Sequence, residues 1–158
     1  MVKEGETHDT AGCLILAGKE ALLVKREKPP AVGLWATLGG HVEKGELPYQ
    51  AALREAYEEA GIDLGKVPDF AKQADKKGFI YLPHSAAEFI YPVEKSKKGP
   101  RHYHVSHVFL FRVKKQALKQ ELGDDRSGHV EWVPLSSLNE KNCFPVAFFL
   151  LRKLKLVK

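Results

Sequence analysis

A sheet held between helices, an α/β/α sandwich, is the fold class this sequence predicts, on three observations. Short runs rich in β-branched and aromatic residues lie on both sides of one strongly patterned helix. A second amphipathic pattern, ending in basic residues, closes the chain. At 158 residues the length suits a single domain, residues 1–158, with enough mass to bury a core. Strands flanking a helix, with another helix at the end, are most simply layered as sheet between helices.

The elements follow in order. Thr10–Leu16 and Ala21–Arg26 are β-rich and joined through Gly18, as a hairpin or two consecutive strands. Glu27–Gly33 contains paired prolines and reads as a loop. Leu34–Leu38 (LWATL) predicts a short strand that stops at a turn made by Gly39 and Gly40. Helix signals then converge: Pro48 fits a first-turn position and Gly61 a stop just past the end. Between them Tyr49, Ala52, Ala56 and Ala60 recur at helical spacing and form the expected buried stripe. Residues 63–101 hold two candidate strands, Phe79–Leu82 and Glu88–Val93, among polar and basic loops suited to substrate contacts. Tyr103–Val113 is the strongest strand, expected to be central, and Lys114–Leu122 a short helix. His129–Leu135 is a further strand. From Pro145 onward, Val146, Leu150, Leu154 and Val157 predict one apolar helical stripe.

Composition excludes several classes. The hydrophobic share of 44% and charged share of 28% are those of an ordinary globular chain. The charged start MVKEGETHDT gives no signal peptide, and the apolar run at Val146–Leu151 is too short for a membrane span. Cys13 and Cys143 show neither a disulfide framework nor metal-ligand spacing, so a cytoplasmic setting is expected. The net charge of +5 lies in Lys95–Arg101, Lys114–Lys119 and Arg152–Lys158. Solvated loops and a helix C-terminus account for it, while nucleic acid as a partner is not excluded.

One helix face carries chemistry. Glu55, Glu58 and Glu59 are spaced i, i+3, i+4, within an arc of about 100°. Like charges at that spacing repel, so a cation is expected among them, and an oxygen-only anionic cluster suits Mg²⁺. His102, His104 and His107 look like a zinc set at first glance. The pleat puts His102 and His104 on one face and His107 on the other, which disfavours zinc.

Gly40, Glu46, Arg54, Glu55, Glu58, Glu59 and Gly61 fill G-x₅-E-x₇-R-E-U-x-E-E-x-G-U at every fixed position. That is the Nudix box, and the stretch Gly40–Ile62 closely resembles it. Chance agreement at seven positions is on the order of 10⁻⁸ per starting point. Leu34–Trp35, Glu43, and Glu131–Leu135 followed by Leu138 are also similar to the family. Leu38 departs from it, since many relatives carry proline there.

The resemblance implies a mixed sheet and hydrolysis of a nucleoside diphosphate linked to a group X, by water attack on phosphorus with Mg²⁺ or Mn²⁺. It implies Glu58 and Glu59 as metal ligands, Glu55 as ligand or base, and the Gly39 or Gly40 carbonyl as a further donor. Arg54 is expected to pair with Glu46 and pin the loop to the helix. Trp35, Gly39, His41 and Tyr81 are candidate substrate contacts, with Phe79 and Tyr91 further options for base stacking. Asp124, Asp125 and Glu131 are candidate extra acids. The expected partner is a small nucleotide, bound by a monomer or homodimer. Two alternatives stay open: an enzyme acting on RNA 5′ ends, and a nucleotide- or RNA-binding module without catalysis.

Overall fold

Strand β1 (Thr7–Ala17) organises the sheet, because it pairs with three other strands, one along nearly its whole length and two on its other side. The computed structural model describes residues 2–29, 31–65, 84–97, 99–118 and 128–158. On one side, the first half of β1 pairs antiparallel with β4 (Leu38–His41) and its end with β2 (Glu20–Arg26). On the other side it pairs in parallel with β6 (His102–Arg112), from Thr7 opposite Tyr103 to Leu16 opposite Arg112. β2 carries β3 (Trp35–Ala36) and β7 (Gly128–Pro134), and β5 (Ala87–Val93) lies antiparallel outside β6. The described sheet is therefore mixed, with seven strands.

Two cores sit on its two faces. Ala11, Cys13 and Ile15 of β1 face helix α1 (Pro48–Ala60), where Ala51, Ala52, Ala56 and Ala60 are fully buried. The small residues let the helix lie close to the sheet, and the Cys13 thiol reaches the Ala52 carbonyl at 3.3 Å. Burial raises the thiol well above its ordinary range, so Cys13 is an inert small hydrophobe. Leu14 and Leu16 point the other way, toward Leu150 and Leu151 of α2 (Pro145–Lys153). The layering is the expected α/β/α sandwich.

Helix α1 has the expected limits. Pro48 opens it, and Gly61 ends it with a left-handed φ of 66° and an N–H donated to the Tyr57 carbonyl. Three expectations are corrected. Leu34–Leu38 is not one strand: the chain breaks at Thr37, so Gly39 and Gly40 lie inside β4 rather than in a turn after it. Their place is fixed by close packing, since a β-carbon on Gly39 would meet the backbone of Ala11 and Gly12. Residues 114–118 are not helical. The sheet ties them down through Val113 N–H to Leu16 O at 2.9 Å and Trp132 Nε1–H to Gln116 O at 3.0 Å. Helix α2 stops at Lys153 and buries Ala147, Leu150 and Leu151, which leaves Val157 beyond its end. Strand Phe79–Leu82 lies outside the described residues. β6 is an interior strand as expected, between β1 and β5.

Candidate active site

The acidic face of α1 meets the edge of β4. A Glu59 carboxylate oxygen accepts the Gly39 N–H at 2.9 Å, which ties the helix to the glycine pair. At Gly40, a β-carbon would collide with the Glu55 carboxylate, so glycine is what allows that side chain to lie against the strand. Glu55 and Glu59 are thus held by the strand they face, whereas the Glu58 side chain is 52% exposed.

Arg54 holds this arrangement together. Its Nε and Nη2 donate to the two Glu46 oxygens, each at 3.0 Å, a bidentate pair. Nη1 donates to Glu55 Oε1 at 2.8 Å and to Glu58 Oε2 at 3.0 Å, and Nη2 also reaches the His41 carbonyl at 3.0 Å. All five guanidinium N–H groups are therefore used. Glu46 in turn accepts the Glu43 N–H at 3.0 Å. The expected Arg54–Glu46 pair is present, and the cation lying between Glu55 and Glu58 is Arg54 itself.

Charge and burial set the proton affinities. Burial would raise the Glu46 carboxyl, but Arg54 and the Glu43 N–H outweigh it and hold the group below its ordinary range. For Glu55 the balance is reversed: burial dominates over Arg54, and its carboxyl is raised. The hydrogen bonds that Arg54 donates to Glu46 and Glu55 raise its own proton affinity, and it stays charged.

The cleft beside these groups has a volume of about 890 Å³ and runs across β4. Its acid wall is Glu43, Arg54, Glu55, Glu58 and Glu59; Gly39, Gly40 and His41 form the ridge. The opposite wall comes from other strands and includes Tyr91, His104, Ser106 and Phe144. Tyr91 and His104 are register partners across β5 and β6, with the hydroxyl and Nδ1 at 3.3 Å and ring centroids 5.5 Å apart. His41 lies edge-on to His104 at 5.0 Å. Burial and the neighbouring imidazoles push His104 down to about 4 and also lower His41.

Of the candidate substrate contacts, Gly39 and His41 border the cleft. Trp35 does not: its ring is 9% exposed and packs in the α2-side core, because β3 turns it away from the glycine ridge. Tyr81, Phe79, Asp124 and Asp125 lie outside the described residues. Glu131 is exposed on β7, paired with His129 at 3.0 Å. His102 and His104 do share a face, and His107 is on the other, between Asp9 and Glu88 at 3.1 and 2.9 Å. Thr10, Arg26, Ser106 and Phe144 were not legible as cleft residues. Thr10 and Ser106 meet through the β1–β6 register, while Arg26 of β2 and Phe144 ahead of α2 arrive through other pairings, and no local pattern encodes any of these.

A NUDIX domain family model matches residues 6–150. The chain is 26% identical over 133 residues to an RNA pyrophosphohydrolase of Brucella anthropi, covering 80% of this chain and 71% of the relative. A protein of the same name from Brucella ovis is 28% identical over 131 residues, with coverages of 79% and 68%. The fold is similar to a NUDIX-family hydrolase from Clostridium perfringens, with TM-score 0.67, 25% identity and coverages of 94% and 95%. A MutT NUDIX hydrolase from Burkholderia pseudomallei gives TM-score 0.64 at 20% identity, with coverages of 94% and 98%. With the box glutamates brought together at the glycine ridge and the family model spanning nearly the whole chain, this protein belongs to the Nudix family and is a hydrolase of phosphoric anhydride bonds.

Proposed function

We propose that the chain is a Mg²⁺-dependent pyrophosphohydrolase that cleaves a nucleoside diphosphate linked to a group X, with Mn²⁺ as a possible substitute ion. The observation that carries this reading is that Glu59 and Glu55 lie against Gly39 and Gly40 while Glu58 lines the same cleft, which is large enough for a nucleotide.

The donor set fits a hard divalent ion: carboxylates and backbone carbonyls, with no competing thiol or imidazole among the acid-wall residues. Among the described residues no three potential ligands already converge on one point, and Arg54 standing between Glu55 and Glu58 is the physical reason. Arg54 takes one oxygen from each of these two carboxylates, so both retain a second oxygen to offer. Glu58, Glu59 and the Gly40 carbonyl would hold the ion, with Glu55 beside them as a further ligand or as the base. When bound, it neutralises pyrophosphate charge and acidifies water.

The chain's own groups do the rest. Hydrolysis forms one P–O bond from water and breaks the anhydride P–O bond, and the water proton needs an acceptor. Glu55 suits that role, because burial raises its proton affinity toward that of a working base. Arg54 and Glu46 fix the helix face to the β4 ridge, so the carboxylates are oriented before substrate arrives. Glu58→Gln tests the assignment: kcat should fall by orders of magnitude, about 10²-fold or more, with an unchanged circular dichroism spectrum. Near-normal turnover sinks it. Binding of nucleotides without Mg²⁺-dependent hydrolysis of any would instead support the non-catalytic module.

A second reading keeps the chemistry and changes the substrate to the 5′ end of RNA. The similarity to proteins named RNA pyrophosphohydrolase and the net charge of +5 favour it over a free nucleotide.

A further inference from the structure

Four imidazoles crowd one end of the sheet, and hydrolysis uses none of them. His41 and His104 lie edge-on at 5.0 Å, His104 and His102 at 5.1 Å, His102 and His8 at 5.3 Å, and His8 and His41 at 6.3 Å. They come from β1, β4 and β6, brought together by Thr10 opposite His41 and His8 opposite His104. His41 and His104 border the cleft, while His8 and His102 continue away from it.

The row does not end in neutral surface. His102 directly follows Arg101, and its Nδ1 lies 2.9 Å from the Pro100 carbonyl. Residues 94–97 and 99–101 belong to the β5–β6 connection, with a bridge between Ser96 and Gly99 and the Gly5 N–H donated to Arg101 O at 2.9 Å. Lys95, Lys97 and Arg101 are all exposed there; the carboxylates beside them are Glu94, 3.7 Å from Arg101, and Glu6, 3.6 Å from His8, so the cations outnumber the anions. Three residues of strand separate His104 from Arg101, a span of about 10 Å. A polyanion leaving the cleft past His104 therefore meets aromatic rings first and cations next.

Each group suits a different part of a nucleotide chain. His41 and His104, with ring centroids 5.0 Å apart at the border of the cleft, offer aromatic surface on which bases can stack. The long side chains at 95, 97 and 101 supply the positive charge that tracks a backbone. A free nucleotide is too short to use both.

We infer that the track from His41 and His104 through His102 to Lys95, Lys97 and Arg101 binds the first nucleotides of a single-stranded RNA whose 5′-polyphosphate lies in the acidic cleft. This rests on the hydrolytic reading of the cleft and assigns its substrate class.

The test compares wild type with Lys95→Glu/Lys97→Glu/Arg101→Glu, and with Arg152→Glu/Lys153→Glu/Lys155→Glu at the end of α2 as a control for net charge. Each protein receives a nucleoside triphosphate and 5′-triphosphorylated RNAs of two to eight nucleotides, with Mg²⁺. The track predicts wild-type kcat/KM that rises with RNA length and then levels. It also predicts a fall of about 10-fold or more for RNA in the triple variant, with the mononucleotide within about twofold. The salt dependence should flatten by about 0.7 in log–log slope per lost contact. Parallel loss on RNA and mononucleotide, no loss on RNA, or an equal loss in the α2 variant would overturn the track. If wild type hydrolyses nothing, the hydrolytic reading fails separately. RNA anisotropy then decides: weaker binding by the triple variant alone upholds the track, and equal binding by all three proteins rejects it.

Discussion

The two walls of the cleft solve opposite electrostatic problems. The acid wall gathers its carboxylates beside one guanidinium, which donates to Glu46, Glu55 and Glu58 with every N–H engaged. Across from it, four imidazoles form a row that starts at the cleft with His41 and His104 and has one carboxylate beside it, Glu6 at 3.6 Å from His8; burial lowers the proton affinity of His104 and His41. One wall is a charge held in place; the other is a charge avoided. His107 sharpens the contrast from three residues along the same strand. It lies on the far face between Asp9 and Glu88, and these carboxylates outweigh burial and raise its proton affinity. Local partners, not the residue type, decide which histidine carries a proton.

Breaking the charged wall should have the largest effect. Arg54→Met leaves Glu46, Glu55 and Glu58 without their shared donor, and kcat/KM should fall about 10- to 100-fold, as for other groups that orient ligands. Arg54→Lys should recover little, because an ammonium cannot reproduce the bidentate contact with Glu46. Steady-state kinetics on any accepted substrate checks both, and full activity of Arg54→Met would show that the network is ornamental to turnover. Gly40→Ala comes next. Its added methyl must displace the Glu55 carboxylate, so kcat should drop by roughly 10-fold while circular dichroism stays unchanged. An unaffected kcat would mean that Glu55 has no fixed working position.

The smallest effects separate the two kinds of histidine by pH. His104 has a folded value near 4, below the ordinary imidazole value of about 6.5. Its contribution is complete above the higher value and is lost as pH falls toward the lower one. His104→Phe should therefore resist acid better than wild type between those limits. His107 is raised, so its contribution is complete below about 6.5 and is lost as pH rises through its folded value. His107→Gln should cost most near pH 6 and least near pH 9. Melting temperatures across pH would show shifts on the order of 2–4 °C for each. Parallel curves for the two variants would erase the distinction.

The acid wall was almost fully legible in the sequence, because it is local. Helical periodicity puts Glu55, Glu58 and Glu59 together, and Pro48 and Gly61 bound the helix that carries them. The turn chemistry beside it was less clear: a glycine pair reads as a bend, yet here both glycines sit in a strand because β1 packs against them. Trp35 illustrates a different limit. An aromatic next to a glycine pair looks like a base platform until the sheet turns it into the core. The imidazole wall was legible only as residues on faces. His102 and His104 follow from the pleat, but His8, His41, Tyr91 and Phe144 join them through pairings between distant segments.

That dependence on distant pairing has a consequence for how the protein is made. The acid helix follows β4 closely in the chain, whereas β1 and β6 pair across about ninety-six residues, as Thr7 opposite Tyr103 illustrates. Joining such remote segments is the slow, entropically costly part of folding. A chain still emerging from synthesis can thus present its glutamates long before the opposing wall exists. Pulse-labelled hydrogen exchange should find β6 amides protected later than those of α1. Catalytic competence then arrives with β6, so a copy that lacks it is an acidic helix without a cleft rather than an unrestrained hydrolase.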